Sequence, residues 1–250
     1  PGDRRADPAG DAFAGRTGQS RYYLAGVDVA GGPRWPGGGT VVAIGDSITD
    51  GAISTPDTDG RYPDELAERL VAAGRPAGVA NVGINGGKLL RDSPCYGESA
   101  VTRFRRDVLG QPGVRTAIVL LGVNDILHAG MTPEPGCGTP PTVTAAELIE
   151  GHRALIRAAH ARGVRIVGAT LLPFGGNAYF YSDAAEEIRD ALNDWIRTSG
   201  EYDAVVDLDR ALADPADPDA LRPEYAAFDR LHPNDAGMTA IAAAFDLRSL

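Results

Sequence analysis

The sequence contains almost no lysine and fewer basic than acidic residues. Lys88 is the only lysine among 250 residues, and 34 Asp and Glu against 24 Lys and Arg give a formal net charge of −10. Proteins that bind nucleic acid neutralise its phosphates with clustered basic residues. The charge balance therefore argues against a nucleic-acid partner.

Long apolar runs are also missing. A transmembrane helix needs about 20 consecutive, predominantly apolar residues, and no stretch of the sequence approaches that length. We therefore predict no membrane span. The 250 residues are enough for one large domain, or for one domain with a short appendage, that buries a sizeable core.

Cysteine is scarce, and its two positions are informative. Cys95 and Cys137 both lie in segments rich in Pro and Gly, whereas free structural thiols usually lie in the apolar core. Their positions favour a disulfide, and disulfides persist mainly in exported proteins. We predict a Cys95–Cys137 bridge and a secreted protein. Because the sequence begins Pro-Gly-Asp, we also expect that a preceding segment was removed.

From residue 40 onward, short apolar runs alternate with longer segments of helical pattern. The predicted strands are 41–44, 79–82, 116–121, 164–169 and 204–206, and the predicted helices are 62–73, 98–109, 144–162, 182–198 and 234–245. Near-continuous apolar runs are typical of strands covered on both faces. The alternation predicts a three-layer α/β/α, flavodoxin-like domain over residues 39–250, with a parallel five-stranded sheet. Residues 1–38 form an N-terminal extension with one strand-like stretch at 22–29.

Polar motifs follow several of these strands. Gly-Asp-Ser at 45–47 follows the first strand, a glycine-rich turn at 83–87 follows the second, and Gly-Val-Asn-Asp at 122–125 follows the third. Ligands of open α/β sheets bind beyond the carboxyl ends of the strands. We therefore expect these three motifs on one rim of the sheet, within reach of the segment after the fifth strand.

That last segment carries Asp229 three residues before His232. On a tight loop, this spacing lets the carboxylate accept a hydrogen bond from Nδ1 and leaves Nε2 facing Ser47. A serine hydroxyl becomes a good nucleophile only when a base takes its proton. The pattern predicts Ser47 as nucleophile, His232 as base and Asp229 as its orienting partner. A capped turn before the last helix is the alternative interpretation of Asp-x-x-His.

Together, the four motifs resemble the sequence blocks of the SGNH, or GDSL-type, hydrolases, in the same order and across residues 41–237. The resemblance implies ester hydrolysis through a serine acyl-enzyme, without a cofactor. It also implies an oxyanion hole made by the N–H groups of Ser47 and Gly86 and the side-chain amide of Asn124. Gly86 is chosen over its neighbouring glycines by matching Ile-Asn-Gly at 84–86 to the family pattern. Some members carry an N-terminal β-domain, so residues 1–38 are interpreted as the tail of one.

Other kinds of site find little support in the sequence. There is no Gly-x-Ser-x-Gly nucleophile elbow, and Gly-Gly-Lys-Leu at 86–89 lacks the remaining residues of a P-loop. No clustered His and Cys spacing suits a metal, so we predict none. His152 and His160 are expected on the surface or in the packing of a helix. His128 follows the Asn124 motif and could line the pocket, but no nearby residue is spaced to orient it as a base.

Several acidic residues resemble catalytic groups by position alone. Asp46 and Asp125 stand beside turn residues and are expected to hold backbone amides of their loops. Asp207 and Asp209 end the fifth strand and are expected to cap a helix or form ion pairs.

The sequence predicts a secreted esterase for acylated carbohydrates or small soluble esters. An acyltransferase that uses the same acyl-enzyme, a lysophospholipase or lipase, and a non-catalytic binding module are the alternatives. The acyl length, the alcohol part of the substrate and the oligomeric state stay open.

Overall fold

The computed structural model describes residues 8–9, 26–29, 39–129, 136–139 and 141–250. The chain divides into two compact units, Pro1–Ala30 and Gly31–Leu250. In the first unit, the described residues are exposed and belong to no helix or strand. The strand-like stretch at 22–29 therefore lies half outside the described residues, and the domain boundary at residue 38 stays a prediction.

Five parallel strands form the central sheet of the second unit. They are β1 (Thr40–Gly45), β2 (Gly78–Asn81), β3 (Val114–Leu120), β4 (Arg165–Ala169) and β5 (Ala204–Val206). Their order in the sheet is β2-β1-β3-β4-β5, and every neighbouring pair is parallel. The predicted five-stranded, flavodoxin-like sheet is confirmed.

Helices cover both faces of this sheet. In the described part of the chain they are α1 (Ser47–Asp50), α2 (Tyr62–Ala72), α3 (Ala100–Asp107), α4 (Val123–Leu127), α5 (Ala145–His160), α6 (Asp183–Thr198), α7 (Leu208–Leu212) and α8 (Asp235–Ala244). Helix α2 packs against α8, and α5 packs against α3 and α6. These two groups are the outer layers of the predicted three-layer α/β/α fold.

The strands and longer helices lie close to their predicted positions. Every predicted strand and long helix ends within two residues of its predicted bounds. The side chain of Thr144 accepts from the N–H of Glu147, whose carboxylate accepts from the N–H of Thr144, so the capping box at the start of α5 is present. Asn234 caps α8 by accepting from the N–H of Gly237 at 3.0 Å.

Three short α-helices, a 3-10 helix at Leu247–Ser249 and a small hairpin were not predicted. Helices α1, α4 and α7 have four or five residues each, and the antiparallel pair β6 (Ala213–Asp214) and β7 (Asp217–Leu221) lies between α7 and α8. Two of these helices, α1 and α4, begin immediately beyond β1 and β3, so they carry the residues of the rim where ligands of such sheets bind.

The central strands form the most deeply buried part of the core. Val42, Ala43 and Ile44 of β1 and Ile118 and Val119 of β3 have no exposed surface. This rigid centre carries the Gly-Asp-Ser and Gly-Val-Asn-Asp motifs at its carboxyl ends. None of the helices in the described ranges is long and apolar enough to cross a membrane.

The two cysteines form the predicted disulfide. The Sγ atoms of Cys95 and Cys137 are 1.98 Å apart, and the bridge joins the loop after β2 to the loop after α4. Strand β1 lies between β2 and β3 in the sheet. The bridge therefore connects loops that leave the sheet on either side of the strand leading to Ser47.

Candidate active site

Ser47 stands at a sharp transition from strand to helix. Strand β1 ends at Gly45, and Asp46 caps the next helix by accepting from the N–H of Ile48 at 3.0 Å. A side chain at position 45 would lie 1.9 Å from the Thr49 hydroxyl, so only glycine fits there. The serine is thus held at the carboxyl end of a buried central strand.

A continuous hydrogen-bonded path joins the three residues that the sequence predicted to act together. His232 Nε2 lies 2.8 Å from Ser47 Oγ, and His232 Nδ1 lies 2.6 Å from Asp229 Oδ2. The other carboxylate oxygen of Asp229 accepts from the N–H groups of Leu231 and His232 at 3.1 and 3.0 Å. The Asp-x-x-His loop therefore folds on its own carboxylate and aims the imidazole at the serine.

The charge of Asp229 follows from these contacts. Partial burial opposes ionisation, but the hydrogen bonds from the His232 ring and from the two backbone N–H groups outweigh it. They lower the pKa of Asp229 below its ordinary value. The carboxylate is therefore ionised at neutral pH, which fixes Nδ1 of His232 as the protonated nitrogen and leaves Nε2 as the acceptor.

The two other predicted site residues meet at the neighbouring strand ends. The turn that holds Gly86 is tied to β1 because Ile84 N–H donates to the carbonyl of Gly45 at 3.2 Å. Asn124 is buried in the first turn of α4, and its Nδ2 donates to the carbonyl of Gly87 at 3.1 Å. The structure therefore brings Ser47, Gly86 and Asn124 to one rim.

Every glycine of the second motif is required sterically. A Cβ at Gly83 would lie 2.4 Å from the N of Asp50, one at Gly86 would lie 2.2 Å from the Tyr96 ring, and one at Gly87 would lie 2.7 Å from a carbonyl oxygen. Gly86 also has φ of +72°. The steric need for glycine therefore does not show which of the three glycines faces the substrate.

The two acidic residues beside the site hold backbone amides, as predicted. Asp125 accepts from the N–H groups of Leu89 and Leu90 at 2.7 and 3.0 Å, which anchors the loop after the Gly86 turn. One oxygen of Asp46 caps α1, and its Oδ2 is buried without a hydrogen-bond partner. Burial raises the pKa of Asp46 to about 7, the bond from Ile48 N–H opposes the increase, and the nearby Asp125 adds to it.

This shift makes stability depend on pH. The folded-state pKa of Asp46, about 7, exceeds the ordinary value of 3.8, so the folded protein holds the proton more tightly than the unfolded chain. Protonated Asp46 therefore stabilises the folded state. This stabilisation is complete below about pH 4 and is lost as pH rises through 7, which lowers the free energy of unfolding by at most about 4 kcal/mol. Asp46→Asn keeps the capping oxygen and cannot ionise. The free energy of unfolding of Asp46→Asn, relative to that of wild type, should therefore increase when the pH is raised from 5 to 8.

Urea unfolding of both proteins at the two pH values measures this change. Asp57→Asn, in an exposed loop, is the matched control and should show no such trend. A difference between Asp46→Asn and wild type that stays constant from pH 5 to pH 8 would exclude ionisation of Asp46 in this range.

The remaining histidines have other partners. His152 is buried in α5, its Nδ1 lies 2.6 Å from the Tyr202 hydroxyl, and burial lowers its pKa to about 4. His160 Nε2 lies 3.0 Å from the Asp203 carboxylate. His128 lies beside the ring of Tyr96, which itself covers Gly86. The structural interpretation of His152 and His160 is confirmed, and His128 lies next to the Gly86 turn through its contact with Tyr96.

Asp207 and Asp209 form ion pairs, as predicted. Asp207 caps α7 and pairs with Arg197 at 2.9 Å, and Asp209 pairs with the buried Arg189 at 2.5 Å. These acidic residues hold the end of β5 and the start of α7 against α6.

Two residues that support the site were missed from the sequence. Asn177 follows β4, and its Nδ2 donates to the carbonyl of Asp229 at 2.8 Å. Arg103, buried in α3, donates to the carbonyls of Val82 and Gly45 at 2.6 and 3.2 Å. The rule that polar residues after strands gather at one rim would have found Asn177, whereas Arg103 carries no local signal.

The model of the GDSL-like lipase/acylhydrolase family matches residues 43–240. No curated protein shows significant sequence similarity to the chain.

Several solved structures are similar. A GDSL-like lipase from Bacteroides thetaiotaomicron is 18% identical, with 82% of this chain and 84% of that one covered and a TM-score of 0.59. A catalytic mutant of an acetylxylan esterase from Geobacillus stearothermophilus is 22% identical, with coverage of 85% and 94% and a TM-score of 0.62. An alpha/beta hydrolase from the metagenome of Lake Arreo is 24% identical, with the same coverage and a TM-score of 0.62. At these identities the likeness establishes the fold.

Proposed function

Because the chain belongs to the GDSL-like lipase/acylhydrolase family, we propose that it hydrolyses carboxylic esters through an acyl-enzyme formed on Ser47. The hydrogen-bonded path from Ser47 through His232 to Asp229, with contacts of 2.8 and 2.6 Å, carries this proposal. A nucleophile, a base and a group that orients the base stand in the order that serine acyl transfer requires.

The first half of the reaction forms the acyl-enzyme. Nε2 of His232 takes the hydroxyl proton as Ser47 Oγ bonds to the ester carbonyl carbon. The ionised Asp229 stabilises the resulting imidazolium through its bond with Nδ1. His232 then donates the proton to the alkoxy oxygen, the C–O bond breaks, and the alcohol leaves.

Three neutral donors are proposed to stabilise the oxyanion. The N–H of Ser47 lies in the first turn of α1, where no intrahelical acceptor is available. The side-chain amide of Asn124 has two N–H groups, and the bond to Gly87 O fixes its orientation while the second N–H remains for substrate. The N–H of Gly86 is the third. Fixed donors of this kind act where negative charge develops, without reorganisation during the reaction.

The second half of the reaction repeats these steps with water. His232 takes a proton from the water that attacks the acyl carbon, and the same donors stabilise the second oxyanion. His232 then returns the proton to Ser47 Oγ as the C–O bond to the serine breaks, and the carboxylic acid is released.

An acylated carbohydrate or a small soluble ester is the proposed substrate class, and the proposed location is extracellular. The disulfide between Cys95 and Cys137 supports export. The similarity in fold to an acetylxylan esterase supports a carbohydrate ester.

A panel of esters tests this proposal. We expect the protein to release acetate from acetylated xylooligosaccharides and p-nitrophenol from p-nitrophenyl acetate, and to act poorly on a lysophospholipid. A preference for the lysophospholipid would replace the carbohydrate assignment with a lipolytic one. Transfer of the acyl group to an added alcohol, in preference to water, would make the protein an acyltransferase. Failure to cleave any ester would contradict the proposed function.

A further inference from the structure

A row of rings lies along one side of the proposed site. The ring centroids of Tyr96 and His128 are 5.1 Å apart, and those of His128 and Phe180 are 6.4 Å apart. We call Tyr96, His128 and Phe180 the aromatic row. It begins at the Gly86 turn and ends at the loop that contacts Asp229. All three residues are partly exposed.

Tyr96 packs directly on the proposed oxyanion glycine. A Cβ built on Gly86 would lie 2.2 Å from Cδ1 of Tyr96, which means that the ring occupies the space a side chain would need. The ammonium group of Lys88 lies 6.0 Å from the same ring centroid. The Tyr96 ring thus packs on the backbone of Gly86 and has the ammonium group of Lys88 near it.

The loop that carries Tyr96 is fixed rather than free. Ser93 and Gly97 exchange backbone hydrogen bonds of 2.8 and 3.0 Å, and the Ser93 hydroxyl accepts from the N–H groups of Cys95 and Tyr96. The residue before Tyr96 is bonded to Cys137 through the disulfide. The backbone of Tyr96 is held by the loop, and its ring packs on Gly86. The ring therefore has a defined position beside the site.

The other end of the row is tied to the Asp229 loop. Asn177 accepts from the N–H of Phe180 at 2.8 Å and donates to the carbonyl of Asp229 at 2.8 Å. The aromatic row therefore extends along the rim from the Gly86 turn, at its Tyr96 end, to the loop of Asp229, at its Phe180 end.

The chemistry of the tetrahedral intermediate indicates which part of the ester faces the Tyr96 ring. Its four substituents are Ser47 Oγ, the oxyanion, the alkoxy oxygen and the acyl carbon. The oxyanion faces the N–H of Gly86, and the alkoxy oxygen faces Nε2 of His232, from which it receives its proton. The acyl carbon is the remaining substituent and points away from His232. Tyr96 stands at the opposite end of the aromatic row from the Asp229 loop, which makes it the ring that an acyl group would meet.

We propose that Tyr96, at one end of the aromatic row, closes the acyl side of the site and restricts the protein to esters of short acyl groups, which makes it a specificity-determining residue. This inference rests on the proposed function and adds the acyl class to it. A rigid wall beside the acyl carbon excludes each further methylene by steric overlap, because a fixed ring on a disulfide-tethered loop has little room to yield.

Tyr96→Ala tests the wall, with kcat/KM measured for p-nitrophenyl acetate, butyrate and hexanoate. We expect the ratio of hexanoate to acetate activity to rise about tenfold or more, which is the effect of one or two methylenes in an apolar pocket. Tyr96→Phe keeps the ring and should keep the wild-type ratio. Tyr181→Ala removes a tyrosine that packs on Phe174 instead, and it should also leave the ratio unchanged.

The results separate this inference from the proposed function. An unchanged ratio in folded Tyr96→Ala, while Ser47→Ala still abolishes hydrolysis of all three esters, would overturn the wall and leave the acyl-enzyme intact. If circular dichroism shows that Tyr96→Ala does not fold, Tyr96→Leu replaces it. The ratio of hexanoate to acetate activity should then also rise, but by less. A wild-type protein that already prefers hexanoate to acetate would also overturn the proposal.

Discussion

Ser47→Ala is expected to lower kcat on p-nitrophenyl acetate by more than about a thousandfold, because no acyl-enzyme forms without its hydroxyl oxygen. The substitution should leave the fold intact. Helix α1 is capped by Asp46 rather than by Ser47, and the substitution removes only one hydroxyl group. Steady-state kinetics gives the loss, and circular dichroism with thermal unfolding shows that the variant is folded.

A nearby serine supplies the control. The hydroxyl of Ser54 donates to the carbonyl of Gly51 at 2.6 Å, in the loop after α1, and Ser54→Ala should keep kcat within a few-fold of wild type. A folded Ser47→Ala variant that retains more than about a thousandth of the wild-type kcat would rule out Ser47 as the nucleophile.

His232→Ala is expected to be nearly as damaging, and Asp229→Ala less so. In the proposed mechanism, His232 transfers the proton in every step, whereas Asp229 orients the ring and stabilises its charge. General acid–base catalysis contributes about a hundredfold to ten-thousandfold, so the loss for His232→Ala should lie in the upper part of that range. Kinetics on p-nitrophenyl acetate measures both variants.

His160→Ala is the matched control, because His160 pairs with Asp203 at the end of α5. It should leave kcat unchanged. A loss below about tenfold for His232→Ala, or a larger loss for Asp229→Ala than for His232→Ala, would contradict the assigned roles.

The sheet and the long helices were predictable because their signals are local. Each strand is a short apolar run, and α5 and α8 begin at caps that the sequence shows directly, Thr144 and Asn234. Helices α1, α4 and α7 were missed because four or five residues are too few to show a helical period. The β6–β7 hairpin has the charged sequence Asp-Pro-Asp at 217–219, with no alternation to indicate a strand.

Parts of the site were predictable for the same reason. Asp229 and His232 are three residues apart, so one loop brings them together, and Ser47 follows a strand whose end is fixed by the sheet. By contrast, Asn177 and Tyr96 act through contacts with residues 52 and 10 positions away, Asp229 and Gly86. Such contacts depend on how separate loops pack, and no local pattern specifies them.

Direct detection of the acyl-enzyme is the sharpest test of the proposed function. The protein should be mixed with excess p-nitrophenyl acetate, quenched in acid within the first turnovers, and digested for mass spectrometry. We expect a burst of p-nitrophenol and one acetyl group on the peptide that contains Ser47, with both absent from Ser47→Ala. Acetyl groups only on other residues, or hydrolysis that proceeds unchanged in Ser47→Ala, would contradict the proposal.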